Sequence, residues 1–117
     1  FGKIIKEAYK ASNELAKENI SCEIIDLRTV RPLYTETILK SVKKTNRLVI
    51  LEEAWPFGNV ATEITFQVQS KAFDYLDAPI EKINTADTPA PYSPVLLKEW
   101  LPNSEDVINS VKKVLYK

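Results

Sequence analysis

The chain has 117 residues, of which 44% are hydrophobic and 27% charged, an ordinary composition for one soluble globular domain. Its 16 basic residues balance 16 acidic ones, so the net charge does not favour nucleic acid or an anionic membrane as a partner. The sequence has no histidine, one cysteine and no apolar run of transmembrane length. These counts exclude a Ser–His–Asp triad, a Cys–His pair and a zinc cluster.

The missing methionine and the lone Cys22 bear on the origin of the chain. Without even an initiator methionine, we expect a processed product or a piece of a longer polypeptide. Cys22 cannot form an internal disulfide, which fits a reducing compartment such as a bacterial cytoplasm or a mitochondrial matrix. No basic neighbour is evident to activate its thiol, so a small buried hydrophobe is favoured over a reactive group.

Helices and strands alternate along the sequence. In chain order the pattern predicts helix 3–19, strand 22–26, helix 35–45, strand 48–51, a helix after Asn59, strand 80–84, a proline-rich loop 85–102 and a helix capped by Asn103 or Ser104. The helices carry apolar stripes at helical spacing, and the continuous apolar run 48–51 is typical of a strand buried on both faces. A loop as long as 85–102 is usually functional or lies on a partner.

This alternation predicts one α/β domain over residues 1–117, with three α/β/α layers and a doubly wound, mostly parallel sheet. Such a domain normally opens with a strand, whereas this chain opens with a helix. We therefore expect a first strand that the sequence does not include.

Charged residues follow two of the predicted strands. Arg28 and Arg31 come after strand 22–26, where a guanidinium can hold a carboxylate or phosphate bidentately. The more ordinary interpretation is a salt bridge to Asp26, Glu52 or Glu53, or to a partner chain. Glu52 and Glu53 are adjacent at a strand end and point to opposite faces, which favours a structural or interface role over acid–base catalysis.

Two aromatic–proline clusters are candidates for partner contact. Trp55 and Phe57 flank Pro56, and Trp100 begins the segment Trp-Leu-Pro. Aromatic side chains are enriched at the centres of protein interfaces. Each cluster can equally cover its own domain, and for Trp100 the sequence does not separate the two readings.

Six segments together point to a known family. They are DLRTVRP at 26–32, KTNRLV at 44–49, EEAWP at 52–56, LDAP at 76–79, ADTPAPY at 86–92 and WLPN at 100–103. In this order they resemble the C-terminal, transketolase-like domain of the beta subunits of 2-oxoacid dehydrogenases, of the pyruvate dehydrogenase type rather than the branched-chain type. The sequence departs from the family's glycine-rich turn at Ala54, Asn59 and Ala61.

The resemblance implies that chemistry and assembly are divided within the parent enzyme. Thiamine diphosphate and magnesium would lie between an alpha subunit and the N-terminal domain of the beta subunit, so no catalytic, cofactor-binding or metal-binding residue is expected in this chain. The C-terminal domain would pair with a second beta subunit and help to dock the small basic binding domain of the dihydrolipoyl acetyltransferase core. The family contacts for that docking map to Asp77 and to the terminal carboxylate, here on Lys117.

Two hypotheses follow. The first is an assembly and core-docking domain, inactive alone, of an oxidoreductase that decarboxylates pyruvate oxidatively and transfers the acetyl group to lipoamide. The second is a free-standing α/β domain that binds a small anion through Arg28 and Arg31. The upstream reading frame separates them, because only the first requires a preceding thiamine-binding domain.

Overall fold

A computed structural model describes residues 4–27, 35–55 and 57–117. The elements in these ranges are α1 (Ile5–Ala16), α2 (Thr35–Thr45), β1 (Val49–Leu51), α3 (Val60–Ala72), a 3-10 turn (Phe73–Tyr75), β2 (Glu81–Ile83), α4 (Pro94–Trp100) and α5 (Ser104–Val114). The two strands are parallel, with Ile50 opposite Lys82. None of the helices described here combines the length and the apolar character needed to cross a bilayer.

Helices cover both faces of the strand pair. On one face α2 packs against α3, and their buried side chains form a cluster with Ile50. On the other face α1 packs against α5, and Ala11 and Val107 meet Ile83, with Val49 and Leu51 alongside. Successive residues of β1 therefore enter different cores, which is the arrangement of a strand buried on both sides. The predicted α/β class with three layers is confirmed.

Local sequence explains where the helices begin. Asn103 caps α5 through two reciprocal hydrogen bonds. The Asn103 side chain accepts a hydrogen bond from the backbone amide of Asp106, and the Asp106 carboxylate accepts one from the backbone amide of Asn103. Asn59 caps α3 by accepting from the amide of Thr62. Each bond satisfies an amide that the first helical turn leaves without a partner.

Positive φ angles show where glycine's freedom is needed. Within the described ranges, Gly58 at φ 64° shares the left-handed region with Asn19, Asn46 and Tyr116. Asn59 itself lies at φ −119°. Since Ala54 and Asn59 are not left-handed, the departures from the family's glycines at these positions introduce no backbone strain.

The prediction of a strand at 22–26 is wrong for this structure. Residues 21–27 form neither a helix nor a strand. The Glu23 carboxylate instead accepts from the Ser41 hydroxyl at 2.6 Å and from Lys44 Nζ at 3.3 Å, which fastens the segment to α2. Apolar content predicts burial, but a strand exists only when its backbone is paired with a neighbour.

The prediction of a continuous loop over 85–102 is also wrong, because α4 occupies Pro94–Trp100. Pro94 stands at the start of this helix, where its missing amide removes no intrahelical bond and its fixed φ suits the first turn. One of the prolines on which the loop prediction rested, Pro94, therefore starts a helix.

Candidate functional site at the two ends of the strands

Parallel strands give the sheet two chemically different ends. Residues just before β1 and β2 meet at the amino end, and residues just after them meet at the carboxyl end. Four of the predicted partner-binding residues lie in the described ranges and divide between these ends. Asp77 and Lys117 belong to the amino end, and Trp55 and Trp100 belong to the carboxyl end.

Asp77 is the centre of the amino end. Its amide donates to the carbonyl of Asn46 at 2.8 Å, and its carbonyl accepts from the hydroxyl of Tyr116 at 3.2 Å. Its carboxylate, 57% exposed, lies 3.8 Å from the guanidinium of Arg47. The backbone of Asp77 is thus fixed from two sides, while its charge stays accessible to solvent.

Arg47 joins this aspartate to the end of α5. Arg47 Nε donates to the carbonyl of Val114 at 3.0 Å, and the amide of Lys117 donates to the carbonyl of Lys112 at 2.8 Å. We call residues Asn46, Arg47, Asp77, Tyr116 and Lys117 the amino-end surface. The structure therefore brings Asp77 and the last residues of the chain into one connected network.

The two tryptophans at the carboxyl end share one acceptor. The indole Nε1 atoms of Trp55 and Trp100 each lie 2.9 Å from the carbonyl oxygen of Thr88. The carbonyl of Trp55 also accepts from the side-chain amide of Asn59. The two aromatic clusters predicted separately from the sequence are therefore connected through the ADTPAPY segment.

Exposed aromatic residues lie near these tryptophans and Thr88 in the sequence. Phe57 is 91% exposed, Tyr92 is fully exposed and Trp55 is about half exposed, while Trp100 is half-buried. We call Trp55, Phe57, Thr88, Tyr92 and Trp100 the carboxyl-end surface. Three of its aromatic side chains are exposed, and its two indole donors are already satisfied by the Thr88 carbonyl, which is suited to packing rather than to proton transfer.

A buried carboxylate underlies this end. Glu52 is 2% exposed and accepts from the Ala61 amide at 3.3 Å and the Asn84 side-chain amide at 2.7 Å. It thus ties the end of β1 to the start of α3 and to the residue after β2. The neighbouring Glu53 is exposed. This separation confirms that the two carboxylates do not converge.

The chemistry open to the described residues is limited. No three Asp, Glu or Cys side chains among them form a group able to hold a metal ion. Burial raises the pKa of the Cys22 thiol, which disfavours the nucleophilic thiolate. Arg28 and Arg31, predicted as an anion or interface site, lie outside the described residues, so their prediction stays untested.

Arg47 and Tyr116 were not among the predicted site residues, although they hold the amino-end surface together. Their contacts join positions 67 and 39 residues apart in the chain, to Val114 and Asp77. No local pattern signals such pairs. The left-handed conformation of Tyr116, at φ 59°, is a second feature that the sequence does not show.

Comparison with known proteins agrees with this architecture. The family model described as "Transketolase, C-terminal domain" matches residues 1–107. The chain belongs to this family. It is 54% identical over 112 residues to the pyruvate dehydrogenase E1 component subunit beta of Rickettsia felis, a match that covers 96% of this chain and 34% of that protein. The resemblance found in the sequence is confirmed.

Other relatives extend this family match across bacteria and eukaryotes. The subunit of the same name from Rhizobium meliloti is 50% identical over 117 residues, which is 100% of this chain and 25% of that protein. The mitochondrial subunit from Dictyostelium discoideum is 45% identical over 114 residues, or 97% of this chain and 32% of that protein. The chain thus spans about a third or less of these curated relatives.

Proposed function

We propose that the chain is the C-terminal domain of a pyruvate dehydrogenase E1 beta subunit and that it serves subunit assembly and docking of the acetyltransferase core. The supporting observation is the 54% identity to such a subunit over 96% of the chain. In this proposal the parent enzyme decarboxylates pyruvate oxidatively with thiamine diphosphate and transfers the acetyl group to lipoamide. The domain itself catalyses nothing.

We place thiamine diphosphate and Mg²⁺ elsewhere in the parent enzyme. Magnesium bound with a diphosphate requires converging carboxylate or carbonyl oxygens, and the described residues offer no such acidic group. Titrating thiamine diphosphate and Mg²⁺ into the 117-residue chain is expected to give no binding heat. Clear micromolar binding would overturn this part of the proposal.

We assign the carboxyl-end surface to assembly with a second beta subunit and the alpha subunit. Exposed aromatic side chains over a rigid hydrogen-bonded base have the character of an interface centre. In the full beta subunit, Phe57→Ser is expected to release subunits from the heterotetramer in native mass spectrometry. Phe73→Ser is the matched control, since Phe73 is also exposed but precedes β2. Equal assembly of both variants would argue against this assignment.

We assign the amino-end surface to docking of the small basic domain of the acetyltransferase core. A fixed, accessible carboxylate steers a cationic partner, and Asp77 has this character. Replacing Asp77 by Asn in the assembled E1 enzyme is expected to weaken binding of that domain about fivefold to tenfold, with a shallower dependence on salt. The control is Asp74→Asn, three residues earlier and also exposed.

Lys117 tests whether docking depends on negative charge at the amino-end surface. Its positive side chain opposes a cationic partner, so Lys117→Ala is expected to strengthen docking by about twofold, the scale of a single exposed charge. Weaker docking by this variant, or unchanged docking by the Asp77 variant, would contradict the assignment. The alternative function, binding a small anion through Arg28 and Arg31, rests on residues outside the described ranges and stays a prediction.

The proposal also implies a compartment. Some relatives carry the word mitochondrial in their names and others are bacterial. We therefore infer a bacterial cytoplasm or a mitochondrial matrix, where the raised pKa of Cys22 suits a thiol that stays reduced and unreactive. Fractionation of the source cells, followed by detection of the chain, tests this location.

A further inference from the structure

Three of the described helices are followed by a residue in the left-handed backbone conformation. Asn19 follows α1 at φ 63°, Asn46 follows α2 at φ 67° and Tyr116 follows α5 at φ 59°. A left-handed residue allows the carbonyl groups of the last helical turn to be satisfied, and glycine or asparagine adopts this conformation at the least cost. Two of the three helix ends thus have the expected kind of residue, and the third has a tyrosine.

The hydrogen bonds at the end of α5 explain the conformation of Tyr116 but not its residue type. The Tyr116 amide donates to the carbonyl of Lys113 at 3.0 Å, and the Lys117 amide donates to the carbonyl of Lys112 at 2.8 Å. The same backbone pattern closes α1 at Asn19. A bulky left-handed residue is uncommon and costly, and a ring that is 72% exposed gains little from burial. The tyrosine therefore needs a reason beyond the helix end.

The hydroxyl of Tyr116 supplies that reason, because it helps to hold the segment 75–77 between the ends of α2 and α5. On one side, the Asn46 side chain donates to the Tyr75 carbonyl at 2.8 Å, and the Asn46 carbonyl accepts from the Asp77 amide at 2.8 Å. On the other side, the Tyr116 hydroxyl donates to the Asp77 carbonyl at 3.2 Å. A glycine or asparagine at position 116 would suit the end of α5 better and lose this contact.

The charge of Asp77 depends on this backbone for its direction. The Arg47 guanidinium lies 3.8 Å from the Asp77 carboxylate, too far for a hydrogen bond, and the carboxylate is 57% exposed. A charged group that is already oriented binds its partner at a lower cost in conformational entropy. Strained backbone conformations concentrate at functional positions, where they contribute to such preorganisation. The left-handed Tyr116 is a conformation of this kind, and the residue that it holds is Asp77.

We propose that Tyr116 is a positioning residue for docking. Its hydroxyl fixes the backbone of Asp77 and thereby the direction in which the Asp77 carboxylate meets a cationic partner. This rests on the proposed function, which assigns the amino-end surface to docking, and it adds a residue that acts through Asp77. The residue type at position 116 consequently serves docking rather than the stability of α5.

Two substitutions in the assembled E1 enzyme separate docking from the helix end. Tyr116→Asn introduces the residue type that follows α1 and α2, so it keeps the end of α5 and loses the hydroxyl contact. Tyr116→Phe removes the hydroxyl alone. Both variants are expected to weaken binding of the small basic domain about threefold in isothermal titration calorimetry, the scale of one hydrogen bond. Tyr9→Phe, at an exposed tyrosine of α1, is the control and is expected to leave binding unchanged.

Hydrogen exchange measured by mass spectrometry on the same enzymes gives a result that a purely structural role of Tyr116 would not produce. The amide of Asp77 is expected to exchange about tenfold faster in both variants, because its segment loses one of its two attachments. The amides at the end of α5 are expected to keep their exchange rates in Tyr116→Asn. Faster exchange at the end of α5 in this variant would show that Tyr116 serves the helix itself and would overturn the proposal.

The remaining outcomes distinguish this proposal from the proposed function. Unchanged docking, or unchanged exchange at Asp77, in either Tyr116 variant would overturn the positioning role. If Asp77→Asn weakens docking while the Tyr116 variants do not, only the positioning role fails. If Asp77→Asn leaves docking unchanged, the docking assignment itself fails, and exchange at Asp77 still shows whether the Tyr116 hydroxyl holds this segment.

Discussion

The two ends of the parallel strands are held in place by different means. At the amino end, Arg47 and Tyr116 connect distant parts of the chain to carbonyl oxygens and leave the charge of Asp77 exposed. At the carboxyl end, Trp55 and Trp100 converge on one carbonyl. One end therefore presents charge on a fixed backbone, and the other presents apolar rings. In the proposed function, the charged end steers a cationic partner and the aromatic end packs against an apolar one.

The strongest way to break the carboxyl end is to remove the buried carboxylate beneath it. Glu52→Ala leaves the Ala61 amide and the Asn84 side-chain amide without their acceptor in a buried site. The free energy of unfolding is expected to fall by about 2–3 kcal/mol in urea denaturation followed by circular dichroism. Glu53→Ala, at the exposed adjacent residue, is the control and is expected to change it by less than about 0.5 kcal/mol. Equal effects would contradict the structural role of Glu52.

Arg47→Ala tests how the amino end is held in place. The free energy of unfolding is expected to fall by about 1 kcal/mol in the same urea denaturation. Most of the loss comes from the Arg47 Nε bond to the Val114 carbonyl, because the pair with Asp77 is partly exposed and contributes little. Lys17→Ala, which removes an exposed pair with Glu14, serves as the control with almost no change. A smaller loss for the Arg47 variant than for the control would show that this end is not held by Arg47.

The shared acceptor at the carboxyl end predicts non-additive behaviour. In Trp55→Phe or Trp100→Phe, the carbonyl of Thr88 keeps one indole donor, whereas the double variant removes both. The double variant is expected to lose about 0.5 kcal/mol more than the sum of the single losses. Strict additivity in chemical denaturation would mean that the two indoles act independently.

The smallest effect concerns residues 21–27, which Glu23 connects to α2. The hydrogen bond from the Ser41 hydroxyl, followed by that from Lys44, lowers the pKa of Glu23. Because the pKa of Glu23 is lower in the folded state, its carboxylate stabilises the fold at pH values above the unfolded pKa, about 4.3. This stabilisation is lost as the pH falls through the folded-state pKa. NMR titration should therefore give a Glu23 midpoint below the ordinary glutamate value, which Ser41→Ala raises. A midpoint at or above the ordinary value would refute the contact.

Local patterns predicted β1 and every described helix except α4 well, because their signals are local. The limits of α2 at Thr35–Thr45 match the prediction, and Asn103 caps α5 as one of the two predicted residues. The prediction of a strand at 22–26 was wrong because a strand needs a neighbouring strand to pair with. Apolar residues such as Ile24 and Ile25 do not indicate whether that neighbour is present. The helix α4 was missed because proline was interpreted only as a breaker.

The site was predictable only in part. Asp77 and Lys117 were predicted through the family resemblance, and Trp55 and Trp100 through their residue type; their roles in partner binding stay predictions. The connections that organise them, through Arg47, Tyr116 and the Thr88 carbonyl, join positions far apart in the chain. Such contacts follow from the way α5 and the strand ends come together in the fold.

The convergence of Trp55 and Trp100 on one carbonyl gives the molecule a built-in optical probe. They are the two tryptophans of the sequence, so selectively excited indole emission comes entirely from the carboxyl end. A partner that covers this end should shift the emission to shorter wavelength as the rings lose water. A partner that binds at Asp77 should leave the emission spectrum unchanged. Intrinsic fluorescence can therefore distinguish the two binding events without a label.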